Sequence, residues 1–147
     1  MDNGYRVINN WEWHMKYSTL LLIFSLSLTI AFGQPRQYFD LVKSADSLYK
    51  IKEYKNSAFK YSEAFKSNGW KGIAKDRYNS ACAWSMANYP DSAFFQLERL
   101  ATKTNFLNLV DLNKDTNFTP LHDNQRWAVL LSTIVAAKER ADAKLNK

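Results

Sequence analysis

Two stretches of this chain share a spacing of small and large apolar residues that suits helices packed in pairs. The first reads Leu41-x3-Ala45-x2-Leu48-x5-Tyr54-x2-Ser57-Ala58-x2-Tyr61-x2-Ala64. The second reads Tyr78-x2-Ala81-Cys82-x7-Pro90-x2-Ala93-x3-Leu97-x2-Leu100-Ala101. Apolar residues recurring at three and four positions line one face of a helix. Small residues among them mark where two helix backbones must approach closely. The spacing therefore predicts an all-α fold built from repeated helical hairpins, and composition agrees. From Gln34 onward the only glycines are Gly69 and Gly72, while Ala, Lys and Leu, all good helix formers, are plentiful.

Helix ends are written in the turn residues. The first helix is expected over 36–51 and a tight connection at Lys52-Glu53. The second runs over 54–67, with Tyr54, Ala58, Tyr61 and Phe65 on one face, and stops at Asn68-Gly69, where glycine supplies a left-handed cap. The third is expected over 73–87. Asn88-Tyr89-Pro90 then breaks the chain, and Pro90 starts a fourth helix to about residue 102, since proline fits a first helical turn and no later one. A short helix is expected over 105–112. Thr119-Pro120 reads as an N-cap followed by a first helical residue. The last helix spans 124–143, with Trp127, Leu130, Leu131, Ile134 and Val135 as its apolar stripe and a charged end expected to fray.

The start of the chain has a different character. Met15-Lys16-Tyr17 is a short positive segment, Thr19 to Ile30 is apolar, and Ala31-Phe32-Gly33 fits the small-x-small cleavage rule. Residues 15–33 are expected to be a signal peptide. The apolar run is shorter than the ~20 residues that span a bilayer. Residues 1–14 carry Asp2 and Glu12 and make a poor leader, so Met15 is expected to be the true start and 1–14 a mis-annotated extension. The domain proper is then 34–147, exported by a bacterium to the periplasm or beyond. Membrane attachment arises only if the leader stays uncleaved.

Residues 34–147 carry 18 Lys plus Arg against 12 Asp plus Glu. Nine of the basic residues lie between Lys43 and Arg77, against four acids. Such a surface attracts acidic partners; export argues against nucleic acid. Cys82 is the single cysteine, so no intramolecular disulfide forms. In Ala81-Cys82-Ala83-Trp84 it is expected to serve as a small core residue.

Both hairpins resemble the tetratricopeptide repeat, a helix–turn–helix unit of 34 residues. Leu41, Ala45, Leu48 and Tyr54 match its large and small positions, followed by Ser57, Tyr61 and Ala64; Tyr78, Cys82, Ala93 and Leu97 match in the second unit. Corresponding residues recur at 36 to 37, and Gly69 stands where the repeat closes on Pro. Phe106-x2-Leu109-x2-Leu112-x2-Asp115-x-Asn117-Phe118 followed by Arg126-Trp127 is similar to an atypical closing hairpin of exported bacterial tetratricopeptide-like proteins. The resemblance implies a short α-solenoid of about two repeats with a capping hairpin. It also implies a concave groove that binds a protein or peptide, lined by Phe39, Val42, Asp46 and Tyr49 from the first unit and by Asn79, Ala83 and Met86 from the second. These residues differ from the Lys/Asn/Arg set that clamps a peptide carboxylate in the chaperone-binding members. In the family this chain resembles such segments often precede a hydrolase domain, so the alternative roles are a helical accessory to a secreted hydrolase system or, with the leader uncleaved, a membrane-anchored surface protein.

No catalytic residue, cofactor site or metal site is expected. Cys82 and His122 lack an orienting third group. Asp111-x-Asn113-x-Asp115-x-Asn117 alternates oxygen ligands, but Thr116 and His122 occupy the positions where a calcium loop needs glycine and a bidentate acid. That segment is expected to be turn and capping chemistry.

Overall fold

A computed structural model describes residues 36–104 and 109–145, and no strand occurs among them. The proposed leader and the 1–14 extension lie outside the described residues. Helix α1 covers 36–50, α2 Tyr54–Ser67, α3 Ala74–Met86 and α4 Pro90–Lys103. Helix α5 covers Leu109–Lys114, a 3-10 helix covers Thr116–Leu121, and α6 covers Gln125–Leu145. No helix among the described residues is long and apolar enough to cross a membrane. The described residues from Gln37 onward form one packed unit.

The first three helices end in the same way. A residue at positive φ turns the chain: Lys52 at 63°, Gly69 at 60° and Asn88 at 62°. The next N–H then reaches five residues back, from Glu53 to the Leu48 carbonyl at 3.0 Å, from Trp70 to Phe65 at 2.6 Å, and from Tyr89 to Trp84 at 2.9 Å. This closure satisfies carbonyls that a helix end leaves without partners. The turns inside the α1–α2 and α3–α4 hairpins thus lie 36 residues apart.

That register pairs Ala45 with Ala81, both fully buried. Matching by residue type pairs Ala45 with Cys82, the neighbouring position. Ser57 of α2 donates to the Ala45 carbonyl at 2.9 Å, which brings the α2 surface directly onto the α1 backbone. At the equivalent place α4 carries Ala93, also fully buried. The α2 face is as expected for Ala58, Tyr61 and Phe65, all buried. Tyr54 is only half-buried and lies edge-on to Tyr49, ring centroids 5.1 Å apart.

The end of the unit departs from the sequence reading in three places. Thr119 is no N-cap. Asp115 is, accepting the Asn117 N–H at 2.9 Å, so the turn starts earlier and forms a 3-10 helix with Pro120 inside it. So short a piece demands few N–H donors, which lets it tolerate a proline. Helix α5 ends at Lys114 and not at 112. Helix α6 continues through the charged stretch to Leu145, as its run of Ala, Lys, Glu and Arg favours.

The closing elements cover the second hairpin from both sides. The 3-10 helix packs on α3, and α6 packs on α4. Phe118 is fully buried and meets Tyr78 edge-on at 5.3 Å. On α6, Trp127, Leu130 and Ile134 are buried, Leu131 is partly buried, and Val135 is exposed. Arg126 clamps the outer edge. It donates to Glu98 at 3.0 and 2.7 Å and to Asp91 at 2.9 Å, and its guanidinium lies 4.7 Å from the Phe94 ring centroid.

Candidate groove between α1, α3 and the 3-10 helix

On α3, Lys75, Tyr78, Asn79 and Cys82 stand at i, i+3, i+4 and i+7, so they share one face. On α1, Asp46, Tyr49 and Lys50 do the same. The two faces meet Tyr61 of α2 and the Asp115–Asn117 turn around a cavity of about 330 Å3.

Hydroxyl groups tie the walls together. Tyr49 of α1 donates to Asn117 Oδ1 at 2.7 Å. Tyr78 of α3 donates to Asp115 Oδ2 at 2.6 Å. Tyr61 of α2 donates to Asp46 Oδ1. Asp115 also accepts from the Asn117 side chain at 2.7 Å. Burial, above all, pushes the three phenols up from their ordinary value, with nearby acidic groups adding to it. They therefore stay protonated and act as hydrogen-bond donors, not as acids, at neutral pH. The Cys82 sulfur lies 4.0 Å from Asp115 Oδ2. Burial first and the Asp115 charge second push this thiol up. A thiol so held is a poor nucleophile, because the thiolate is the reactive form. The chemistry on offer is a polar and aromatic surface with donors, acceptors and charges of both signs. Lys50 and Lys75 stand exposed at its edge.

Three of the seven sequence-selected residues, Asp46, Tyr49 and Asn79, line this groove. Val42 and Ala83 do not: both are buried in the core. Ala83 follows Cys82 and so sits a hundred degrees further round α3, on its packed side. Phe39 is 58% exposed, its ring edge-on to Tyr38, and stands outside the lining. Met86 is half-buried near the end of α3, also outside it. The sequence selection leaves out Lys50, Tyr61, Lys75, Tyr78, Cys82, Asp115 and Asn117. The α3 stripe was a usable signal for Lys75. Nothing local could have brought Asp115 to Tyr78.

Asp115 and Asn117 serve as cap and cross-link, consistent with the turn chemistry expected of them. Among the described residues no three His, Cys, Asp or Glu side chains are grouped to hold a metal ion. His122 lies against Trp127 with the rings tilted at 40° and their centroids 4.5 Å apart, and takes no part in the groove lining. No protein-family model, curated protein or solved structure matches this chain.

Proposed function

We propose that this chain is an exported helical-repeat protein of tetratricopeptide-like type that binds a peptide segment of another protein. The observation that carries the reading is the groove itself. Two equivalent helices, 36 residues apart in register, present side-chain donors and acceptors to one cavity of about 330 Å3, a size within the usual range for ligand sites. Tyr49, Tyr61 and Tyr78 are pre-positioned by their own hydrogen bonds, so binding need not order them. Lys50 and Lys75 at the edge favour an acidic or mixed-charge segment. Export rests on the Met15–Gly33 leader. Terminal sequencing of secreted protein should begin at Gln34.

The full chain, immobilised and panned against a random peptide library, should enrich a peptide family. A Lys50→Glu/Lys75→Glu variant, whose changes are on exposed positions, should lose most of that enrichment. Equal retention by both proteins would remove the groove as the binding site. The hydrolase-accessory reading has no structural observation in its favour.

A further inference from the structure

A second cavity, of about 210 Å3, lies where the turn after α2 meets the start of α3 and the end of α4. It is separate from the groove in its lining. Its wall includes Lys71, Arg77, Arg99 and Lys103, together with Gly72, Ala74 and Thr104, and contains no acid. Charged helix surfaces are commonly dotted with lysine and arginine, so the arrangement of these four decides whether they form a site.

Arg77 is the centre of it. The residue is 6% exposed. Its guanidinium lies 4.7 Å from the Phe65 ring centroid. One nitrogen donates to Gln96 Oε1 at 2.8 Å and another to the Trp70 carbonyl at 2.6 Å. Both acceptors are neutral, so the group is oriented but its charge is not balanced. A buried cation without an anionic partner is costly, and native proteins seldom carry one without a use. Burial and the nearby Arg99 charge both push Arg77 downward from its ordinary value. The acids of α4 cannot help, because Asp91 and Glu98 are committed to Arg126. Among the described residues, Lys71, Arg99 and Lys103 form no ion pair.

The backbone adds to the same field. Helix α3 starts at Ala74, which lines the cavity, and its N-cap residue Ile73 offers no side-chain acceptor to the first turn. Asp76 in that turn, which accepts from the Tyr38 hydroxyl, answers part of the positive end of the helix dipole, and what remains adds to the field of the four cations. Gly72 lets the turn lie flat on the core: a Cβ there would come within 2.5 Å of the Phe65 ring.

We propose that this cavity binds a phosphate group, carried as a phosphomonoester dianion. Four cations call for more than one negative charge. They come from the turn, α3 and α4, so they meet an anion from several directions. That suits a tetrahedral group with three terminal oxygens better than a planar carboxylate, which one arginine fork satisfies. The volume is below the roughly 300 Å3 at which whole drug-sized ligands begin to fit, so the cavity takes a group and leaves the remainder outside. The bearer is either a soluble phosphomonoester or the headgroup of a phosphatidic-acid-like lipid.

The test uses the full chain labelled with nitrogen-15, titrated with inorganic phosphate and, at matched ionic strength, with acetate. Phosphate should shift the amides of Gly72, Ala74 and residues 99–104 saturably, and acetate should not. An Arg99→Gln/Lys103→Gln variant, altered only at exposed positions and checked for unchanged helix content, should bind phosphate about tenfold more weakly or worse. Absence of saturation, equal affinity for acetate, or wild-type affinity in the variant would each overturn the proposal. Co-sedimentation with phosphatidylcholine vesicles, with and without phosphatidic acid, separates the sources. Sedimentation that needs phosphatidic acid and is competed by phosphate assigns the headgroup; saturable phosphate binding without sedimentation assigns a soluble ester.

Discussion

Ser57 and Ser80 are both fully buried helix serines, yet the same substitution should move stability in opposite directions. The Ser57 hydroxyl donates to the Ala45 carbonyl at 2.9 Å, across the α1–α2 contact. Among the described residues the Ser80 hydroxyl finds no partner. A buried hydroxyl without a hydrogen bond costs about 1–3 kcal/mol, and alanine is the better helix former. Ser80→Ala should therefore stabilise the protein by about 1 kcal/mol in urea unfolding. Ser57→Ala should destabilise it by about the same amount, because it removes a bond that is made. Two changes of the same sign would mean that packing volume, and not the hydrogen bond, decides both sites. From sequence the two serines look alike: each is a small residue at a helix crossing. Only the tertiary position of a carbonyl distinguishes them. The same limit hid Arg77, which reads as one more basic residue on a basic face until Phe65, Trp70 and Gln96 are seen around it.

Between elements, the recurring connection is a tyrosine hydroxyl on a carboxylate or amide. Tyr38 joins α1 to Asp76 of α3, Tyr61 joins α2 to α1, and Tyr49 and Tyr78 join α1 and α3 to the Asp115–Asn117 turn. All four phenols are pushed up, mainly by burial. Each therefore has a folded pKa above its unfolded value near 10. Its contribution is complete below about pH 10 and is lost as pH rises towards the folded value. Helical circular dichroism should persist to about pH 10 and then collapse cooperatively, with most tyrosinate absorbance appearing in the same step. Ionisation of all the tyrosines before any helix is lost would contradict this coupling. Helix ends offer a second check. Lys52 holds φ at 63°, a region that costs a residue with a Cβ about 1–2 kcal/mol. Lys52→Gly should raise stability by about 1 kcal/mol, part of the relief being offset by the freer unfolded chain. Asn88→Gly, at φ 62°, should gain less, because asparagine tolerates this conformation. Gly69 and Asn88-Pro90 announced their turns in the sequence. Lys52 carries no such signal: nothing in its residue type marks a positive φ.

At the scale of the molecule, the hairpin architecture was legible because periodicity is a long signal that survives errors of one residue. The groove was legible only in part, since its α1 and α3 stripes repeat along the chain while its third wall is brought in by the closing elements. Those elements also decide the stability of the whole. Each hairpin leaves an apolar face that a neighbour must cover, and for α3 and α4 that neighbour is the 3-10 helix with α6. Two side chains on α6 compete for the credit. Arg126 makes ion pairs with Asp91 and Glu98, but the Asp91 side chain is 96% exposed, and such pairs contribute about 0–1 kcal/mol. Trp127 is 6% exposed and packs against Phe118 and His122, ring centroids 6.1 and 4.5 Å away. Truncating a core tryptophan costs about 3–5 kcal/mol, a large share of the 5–15 kcal/mol typical of a domain. Trp127→Ala should lower the melting temperature sharply, whereas Arg126→Gln should shift it little and Lys138→Ala not at all. Because Phe118 bears on both Trp127 and Tyr78, the loss should also be felt in the groove. The amides of Asp115 and Asn117 should broaden in Trp127→Ala and stay sharp in Arg126→Gln. If Arg126→Gln proves the more damaging, the end of the fold is held by its charges. If Trp127→Ala melts as wild type, the closing hairpin does not cap the repeat.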